Sequence, residues 1–441
     1  MHTYPAEIHT RMPLRILPSY VDADAERLTR NDYVLLVITF LLPYTDSGVW
    51  WILTGFIPPI NTLGSSMVAF VLALYLFQYA ARRHCRPYMR TLYWLIGLAS
   101  AWTVIKFFES SLDYGFTEAI TIFRRRYILL PTFMLCMSYI SSMSRMRMER
   151  FAQLVLKWTV FLGILYFLQN IGLNIFQAER MYQSAGGVMV MRNIIGMPPV
   201  TPVILTFCYL SYLYRNTRWS AVMTILCLTI VFFSYTRNLI ATSAIIIILS
   251  TICYTWKMGL RDNYKLIFYL ILGLGLAFLI FPTSMQFWNN LIDSTVNSQL
   301  VKEEGTYAFR QHLIEKAITT AERHHVLWTG LGYVRDVAKG EYSLVLGSDT
   351  YVAPILWCEG IIGLILRCVP FVYLAAKAWK RFQLHYDNTC GMLALTIVTA
   401  ILSQIPNYVQ TDMIINFNFT LALLYMMYVY ILKYEEETEN A

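Results

Sequence analysis

SYTRNLIATSAIIII, residues 234–248, sets one arginine between two long apolar runs. Upstream lies AVMTILCLTIVFF (221–233), and downstream the chain stays apolar as far as Trp256. A guanidinium in hydrocarbon is costly, so the depth of Arg237 decides how these runs fold. Arg218 precedes it by 19 residues and Lys257 follows it by 20. At 1.5 Å per helical residue each interval covers about 30 Å, the thickness of a bilayer core. Arg218 and Lys257 therefore belong to one face of a membrane. Arg237 belongs to the other, in a tight turn between two helices.

The same pattern runs through all 441 residues, of which 57% are hydrophobic and 14% charged, with mean hydropathy +0.49. Soluble domains carry about a quarter charged residues. The expected fold is an all-α polytopic membrane protein with about 12 transmembrane helices. Candidate spans are 33–45, 62–80, 91–108, 119–140, 154–172, 195–214, 219–236, 238–256, 266–284, 352–376, 389–405 and 414–432. Alternate connections (ARRHCRPYMR, SSMSRMRMER, YRNTRW, KMGLRDNYK, KAWKRF) are basic, whereas 44–61, 109–117 and 406–413 carry no Lys or Arg. The positive-inside tendency then puts the basic connections and both termini in the cytoplasm. The organisation is a cytoplasmic tail (1–32), spans 1–9 (33–284), a long, partly helical outer connection (285–350), spans 10–12 (351–433) and an acidic cytoplasmic tail (434–441). Cysteines without a CxxC pair argue against a disulfide framework or zinc site. The polar N-terminus lacks the apolar core of a cleavable signal.

ITIFRRRYILLP (120–131) obeys the same ruler: Arg126 lies 19 residues before cytoplasmic Arg145, so Arg124, Arg125 and Arg126 sit near the outer face. Either they snorkel to headgroups or pair with Glu109, Asp113 or Glu118, or they hold a ligand anion. In the outer connection, TYAFRQHLIEKAITTAERHH (306–325) has helical periodicity. Phe309, Leu313, Ile314, Ala317, Ile318 and Ala321 share one half, and Arg310 falls in its middle, about 100° round from Phe309. A cation on a face meant for burial needs a carboxylate or a ligand phosphate. Several outer arginines could hold a lipid-linked diphosphate and stabilise the charge that develops as it leaves, without a metal. A base would take the proton of the attacking hydroxyl. Glu359 and Arg367, two turns apart inside the tenth span, read as a structural polar pair.

Four stretches, in order, carry a resemblance. They are GGVMVMRNIIGMPPVTPVI (186–204), SYTRNLIATSAIIII, AFRQHLIEKAI (308–318) followed by WTGLGY (328–333), and GSDTYVAPILWCEGIIGLIL (347–366). The set resembles the O-antigen ligase and polymerase superfamily of bacterial surface-polysaccharide assembly. The resemblance implies metal-independent glycosyl transfer at the outer face of the cytoplasmic (inner) membrane, with no cofactor. The donor would be an undecaprenyl-diphosphate-linked oligosaccharide and the acceptor a glycan. Within the lipid bilayer a flippase and a chain-length regulator are candidate partners, and nucleic acid is not. Arg237 and Arg310 match the arginines that bind the donor diphosphate. Asp349 stands where ligases place a histidine, which suits a polymerase; it is the candidate base, or simply the cap of the helix that follows. His324 and His325 are rival bases. The family's Asn is missing from GMPPVTPV, and its Trp from the Arg310 helix.

Rival readings are a metal-assisted transferase using Asp46 in PYTDSG, a transporter or flippase of lipid-linked sugars, and a structural subunit of an export complex. The D-x-D of VDADAE lies in a tail too short for a nucleotide-sugar domain and reads as solvated charge.

Overall fold

A chain in hydrocarbon must satisfy its own backbone groups, so apolar runs of this kind fold as helices. The computed structural model describes residues 27–41, 65–170, 182–185, 188–191, 201–232, 237–259, 282–294, 306–334, 345, 352–405 and 417–439. The helices are α1 (Arg30–Leu36, continued by a π-helical turn Val37–Leu41), α2 (Ser65–Arg82), α3 (Arg90–Tyr114), α4 (Phe116–Arg126), α5 (Leu129–Ser142) and α6 (Arg145–Asn170). They continue as α7 (Thr201–Arg215), α8 (Arg218–Phe232), α9 (Arg237–Met258), α10 (Pro282–Ser294), α11 (Thr306–Arg323), α12 (Val352–Leu384), α13 (Thr389–Leu402) and α14 (Phe417–Glu439). Among the described residues three helices are long and apolar enough to cross a membrane: Arg90–Tyr114, Leu239–Met258 within α9, and Val352–Leu384. Of the shorter apolar helices, Leu129–Ser142, Arg218–Phe232 and Thr389–Leu402 pack with them, and Ser66–Arg82 packs on Leu129–Ser142.

The basic connections meet at one end of the bundle. Ser141 Oγ accepts the Tyr88 amide at 3.1 Å, and Tyr214 Oη donates to the Tyr386 carbonyl at 2.9 Å. Trp256 stacks on Trp379 with centroids 6.0 Å apart. Arg147 and Tyr139 hold the buried Asp32 carboxylate at 2.6 and 2.9 Å, tying α1 to α5 and α6. Residues 434–439 of the expected acidic tail form the last turns of α14. Carboxylates at a helix C-terminus oppose its dipole, but here cations surround them. Glu435 accepts from Arg381 and His385, both at 2.9 Å, and Glu437 pairs with Arg145. Glu436 accepts from Tyr88 at 2.5 Å; burial first, then this carboxylate, push the phenol up to about 12, so it stays a donor at neutral pH.

One expected span changes. The single span at 119–140 is two helices, α4 and α5, separated at Tyr127–Ile128. Pro131 explains the break: it lacks an N–H and crowds the carbonyl four residues back, that of Tyr127, so it is tolerated only in the first turn of α5. The all-α expectation holds for the described residues apart from one short antiparallel pair, Tyr182–Ala185 with Val188–Met191, in which Ala185 pairs with Val188. Gly-Gly between two short runs is a hairpin signal in YQSAGGVMVM that helical reading passes over. The span at 266–284 lies outside the described residues except for its end, where α10 begins.

Burial divides the interior in two. A large core joins α2, α3, α5, α7, α12, α13 and α14 through residues such as Leu76, Phe133, Leu210, Leu374, Leu395 and Tyr425. A smaller one, away from the basic connections, joins the α3–α4 corner, α11 and the first turns of α12 through Phe107, Phe123, Leu313, Ala317, Tyr333 and Trp357. Its geometry turns on backbone-to-backbone contact at two glycines. Gly360 has φ +68° and ψ −167°, a conformation L residues rarely adopt, and it interrupts α12. A Cβ on Gly330 would lie 2.5 Å from the Gly360 nitrogen and 2.6 Å from that of Glu359.

Gly330→Ala is therefore expected to destabilise the protein by about 3 kcal/mol or more, through strain plus displaced backbone. Gly97→Ala, inside α3 and facing only the flexible Met134 end at 3.3 Å, is expected to be near neutral. Melting of the two variants in detergent, followed by size-exclusion, checks the contrast.

Candidate functional site

Interrupting α12 at Gly360 frees backbone groups that an unbroken helix would pair. Ile361 and Ile362 would have donated to the Trp357 and Cys358 carbonyls. They donate instead to Leu327 O and Trp328 O, both at 3.1 Å, and the Trp357 carbonyl accepts the Leu331 amide at 2.6 Å. Trp102 Nε1 supplies a further donor to the Glu359 carbonyl at 3.1 Å. The segment that repairs the break is the one that follows α11. That helix ends with His325 at φ +59°, and with bonds from His325 N to Glu322 O (2.9 Å) and Val326 N to Ala321 O (2.8 Å), a Schellman arrangement. Gly330 N then returns to Val326 O at 2.6 Å. Residues 327–331 thus act as a backbone splice across the broken helix.

Beneath the splice lies a sealed polar cluster. Arg367 grips Glu359 through two parallel bonds, Nη2 to Oε1 at 2.6 Å and Nε to Oε2 at 2.7 Å, with both side chains 1% exposed. On an unbroken helix their Cα atoms would lie about 12 Å apart along the axis; the interruption falls between them and the side chains meet. Tyr333 Oη donates to Glu359 Oε1 at 2.6 Å and Thr103 Oγ1 to the same oxygen at 3.0 Å. Arg367 also reaches Thr103 Oγ1 at 3.0 Å and lies over the Tyr127 ring, 5.4 Å from its centroid. Tyr127 Oη donates to the Pro354 carbonyl at 3.0 Å. A second ion pair supports the loop from α3: buried Lys106 donates to Glu109 at 2.6 Å and to the Gly330 carbonyl at 3.3 Å. Ser110 Oγ accepts the Tyr333 amide at 2.7 Å.

This arrangement holds position and does not react. The Glu359 carboxylate is filled on both oxygens and closed to solvent, so it has no access to an acceptor hydroxyl. The expected structural pairing of Glu359 with Arg367 holds. Glu109, considered above as a partner for the arginine triplet, is engaged by Lys106. Lys106, Thr103 and the role of Tyr333 were missed in the sequence. A lysine inside an apolar span with a glutamate three residues on was the available signal.

The arginine-bearing elements divide. Arg310 is half-buried on the face of α11 that packs Leu313, Ala317 and Ala321, as its helical angle predicts. The expected face is corrected at Phe309, which is 48% exposed, while Thr320 is buried in its place. The buried face centres on Leu313 and Ala317, so Phe309 falls at its rim. Arg124 is half-buried in the last turn of α4; Arg125 and Arg126 follow it in that helix, their side chains outside the description. Ile122 and Phe123 of α4 share one core with Leu313 and Ala317 of α11, so these two cationic elements are joined. Arg237 is the first residue of α9, which packs on α7, α8 and α13, and its side chain is likewise outside the description. Phe232, which ends α8, meets Trp288 of α10 at 5.2 Å. His324 and His325 are both exposed at the end of α11, where His325 supplies the left-handed capping residue. Asp349 and Asp46 lie outside the described residues. Among the described residues no group of three or more His, Cys, Asp or Glu side chains could hold a metal ion.

Removing one member of a buried ion pair strands the other's charge, at a cost of about 3–5 kcal/mol, whereas removing both is far milder. Glu359→Leu and Arg367→Leu singly are therefore expected to lower the thermal midpoint strongly. The double variant should recover most of the loss; midpoints of the three purified proteins check this. No protein-family model matches the chain, and no curated protein matches it.

Proposed function

We propose that the chain is a polymerase joining undecaprenyl-diphosphate-linked oligosaccharide repeat units into a surface polysaccharide (O-antigen, capsule or exopolysaccharide). The transfer takes place without a metal, at the outer face of a bacterial cytoplasmic membrane. One observation carries the reading. WTGLGY and CEGIIG, two stretches of the resemblance, interlock through Gly330 and Gly360 and fix the Arg310 helix to α12. The packing of these stretches gives their order in the sequence a physical reason. In this reading the end bearing the basic connections faces the cytoplasm, as do both chain termini. Arg237 then lies one helix length away, about 30 Å, at the outer boundary.

The reaction follows from the charges. The acceptor hydroxyl attacks the anomeric carbon of the donor sugar, the bond from that carbon to the diphosphate oxygen breaks, and the proton passes to a base. Arg237, Arg310 and the Arg124–Arg126 group hold the diphosphate and stabilise the negative charge it gains on leaving. Guanidinium groups suit this role, because their planar forks match phosphate oxygens and stay charged. Asp349 is the base of choice. His324 and His325 are rivals, with the solvent exposure a base needs but with a capping role at His325 that already accounts for its place. Helices and lipid confine the donor's polyprenyl tail to the bilayer. A ligase that transfers finished glycan would use the same groups. A transporter of lipid-linked sugars would need accessible charge inside the bundle, and the Glu359–Arg367 pair is closed.

Arg237→Ala and Arg310→Ala are each expected to lower polymer output by about a hundredfold or more while the protein still inserts. Undecaprenyl-linked single repeats should accumulate, measured by chromatography of extracted lipids. Normal long-chain polymer from both variants would exclude the catalytic reading. Asp349→Asn with unchanged activity returns Asp349 to a capping role.

A further inference from the structure

Outside the arginines, the feature with the most unexplained chemistry is the closed cluster under the helix break. It spends a glutamate, an arginine, a tyrosine, a threonine and a lysine on no exposed surface. Packing alone does not require them: an apolar filling of similar volume would hold two helices together at lower desolvation cost. What the charges supply and an apolar filling cannot is direction. The bonds of Tyr333 and one bond of Lys106 end on the segment that follows α11, and those of Glu359 end at the break that receives it.

We propose that Glu359 and Tyr333 form a latch that fixes the orientation of α11, and that Glu359 is thereby a positioning residue for Arg310. The route is short and continuous. Tyr333 Oη is held by Glu359 Oε1 at 2.6 Å, while the Tyr333 amide is held by Ser110 Oγ at 2.7 Å. The chain leading back from Tyr333 is bonded to α12 at Leu331, Trp328 and Leu327, and to Lys106 at the Gly330 carbonyl. It then enters the Schellman cap that terminates α11. Arg310 lies on that helix on the side of Leu313 and Ala317, which face the same core as Tyr333. Bidentate contact fixes Glu359 in angle as well as distance. Arg367 orients Glu359, Glu359 orients Tyr333, and the loop hands that orientation to α11. Without the latch, α11 keeps its apolar contacts and the backbone bonds of residues 327–331 but loses the side-chain bond that fixes Tyr333, so its rotation, and the guanidinium with it, is held less tightly.

The importance of Arg310 rests on the function proposed above; the latch itself does not. The test therefore has two readouts, hydrogen–deuterium exchange on the full-length protein in nanodiscs and surface polymer in cells. The variants are Tyr333→Phe, which removes one hydroxyl and leaves the ion pair intact, and Glu359→Gln. Exchange at residues 306–334 is expected to rise at least tenfold in both while α7, α13 and α14 keep wild-type rates. Polymer output should fall about tenfold with Arg310 still present. Wild-type exchange at 306–334 in Tyr333→Phe, or an equal rise along the whole chain in both variants, overturns the latch. Local loosening with undiminished polymer overturns the positioning of Arg310. If exchange rises locally but deletion of the whole protein leaves the glycan unchanged, the latch stands and the polymerase reading fails.

Discussion

A helix broken inside a bundle leaves backbone groups that must be paired, and the repair at Gly360 organises this end of the molecule. Ile361, Ile362 and the Trp357 carbonyl find partners on the loop 327–331, which ties that loop to the break. Gly330 is required because a Cβ there would collide with the backbone of Glu359 and Gly360. The same break lets Glu359 meet Arg367 and places the pair under Tyr333. Four segments far apart in the chain (α3, the α4–α5 corner, the loop after α11 and the head of α12) converge on this one interruption.

Electrostatics divides the molecule between its ends. At one end, arginines and a histidine from several connections are gathered by Glu435 and Glu437 of α14 and by Asp32. These bonds are partly exposed and individually modest, and they add to apolar contacts that already join the same helices. At the other end the charges follow a different rule. Glu359, Arg367 and Lys106 are sealed and paired, while two of the elements bearing proposed diphosphate ligands, α4 and α11, pack on the same core. Rigid, closed charge beneath and cationic groups above is a physically sensible way to hold an anionic headgroup at a membrane boundary, since a preorganised donor pays no reorganisation at the moment of reaction.

Much of this was legible in the residues themselves. The spacing of Arg218, Arg237 and Lys257 predicted two helices with a turn at Arg237; α8 starts at Arg218 and α9 runs from Arg237 to Met258, while residues 233–236 between them lie outside the described residues. Periodicity predicted a helix over 306–325 with Arg310 on its buried side, and α11 agrees except at Phe309. What escaped was non-local. Nothing near Lys106 announces that its ammonium will meet the carbonyl of Gly330, and Tyr333 offers no sign of its glutamate partner. Hydropathy also joined α4 to α5, because a proline in the first turn of a helix does not interrupt an apolar run. The hairpin at 182–191 was hidden by the opposite effect, a pair of strands too short to show alternation.

The claim on which the functional account rests is that this chain joins lipid-linked repeat units. The most direct test is the size distribution of surface glycan in a strain lacking the protein, resolved by gel and mass spectrometry. The account predicts single repeat units on the final acceptor, with long chains restored by the wild-type protein. Full-length chains stranded on undecaprenyl diphosphate would make it a ligase, and an unaltered glycan profile would contradict the account altogether.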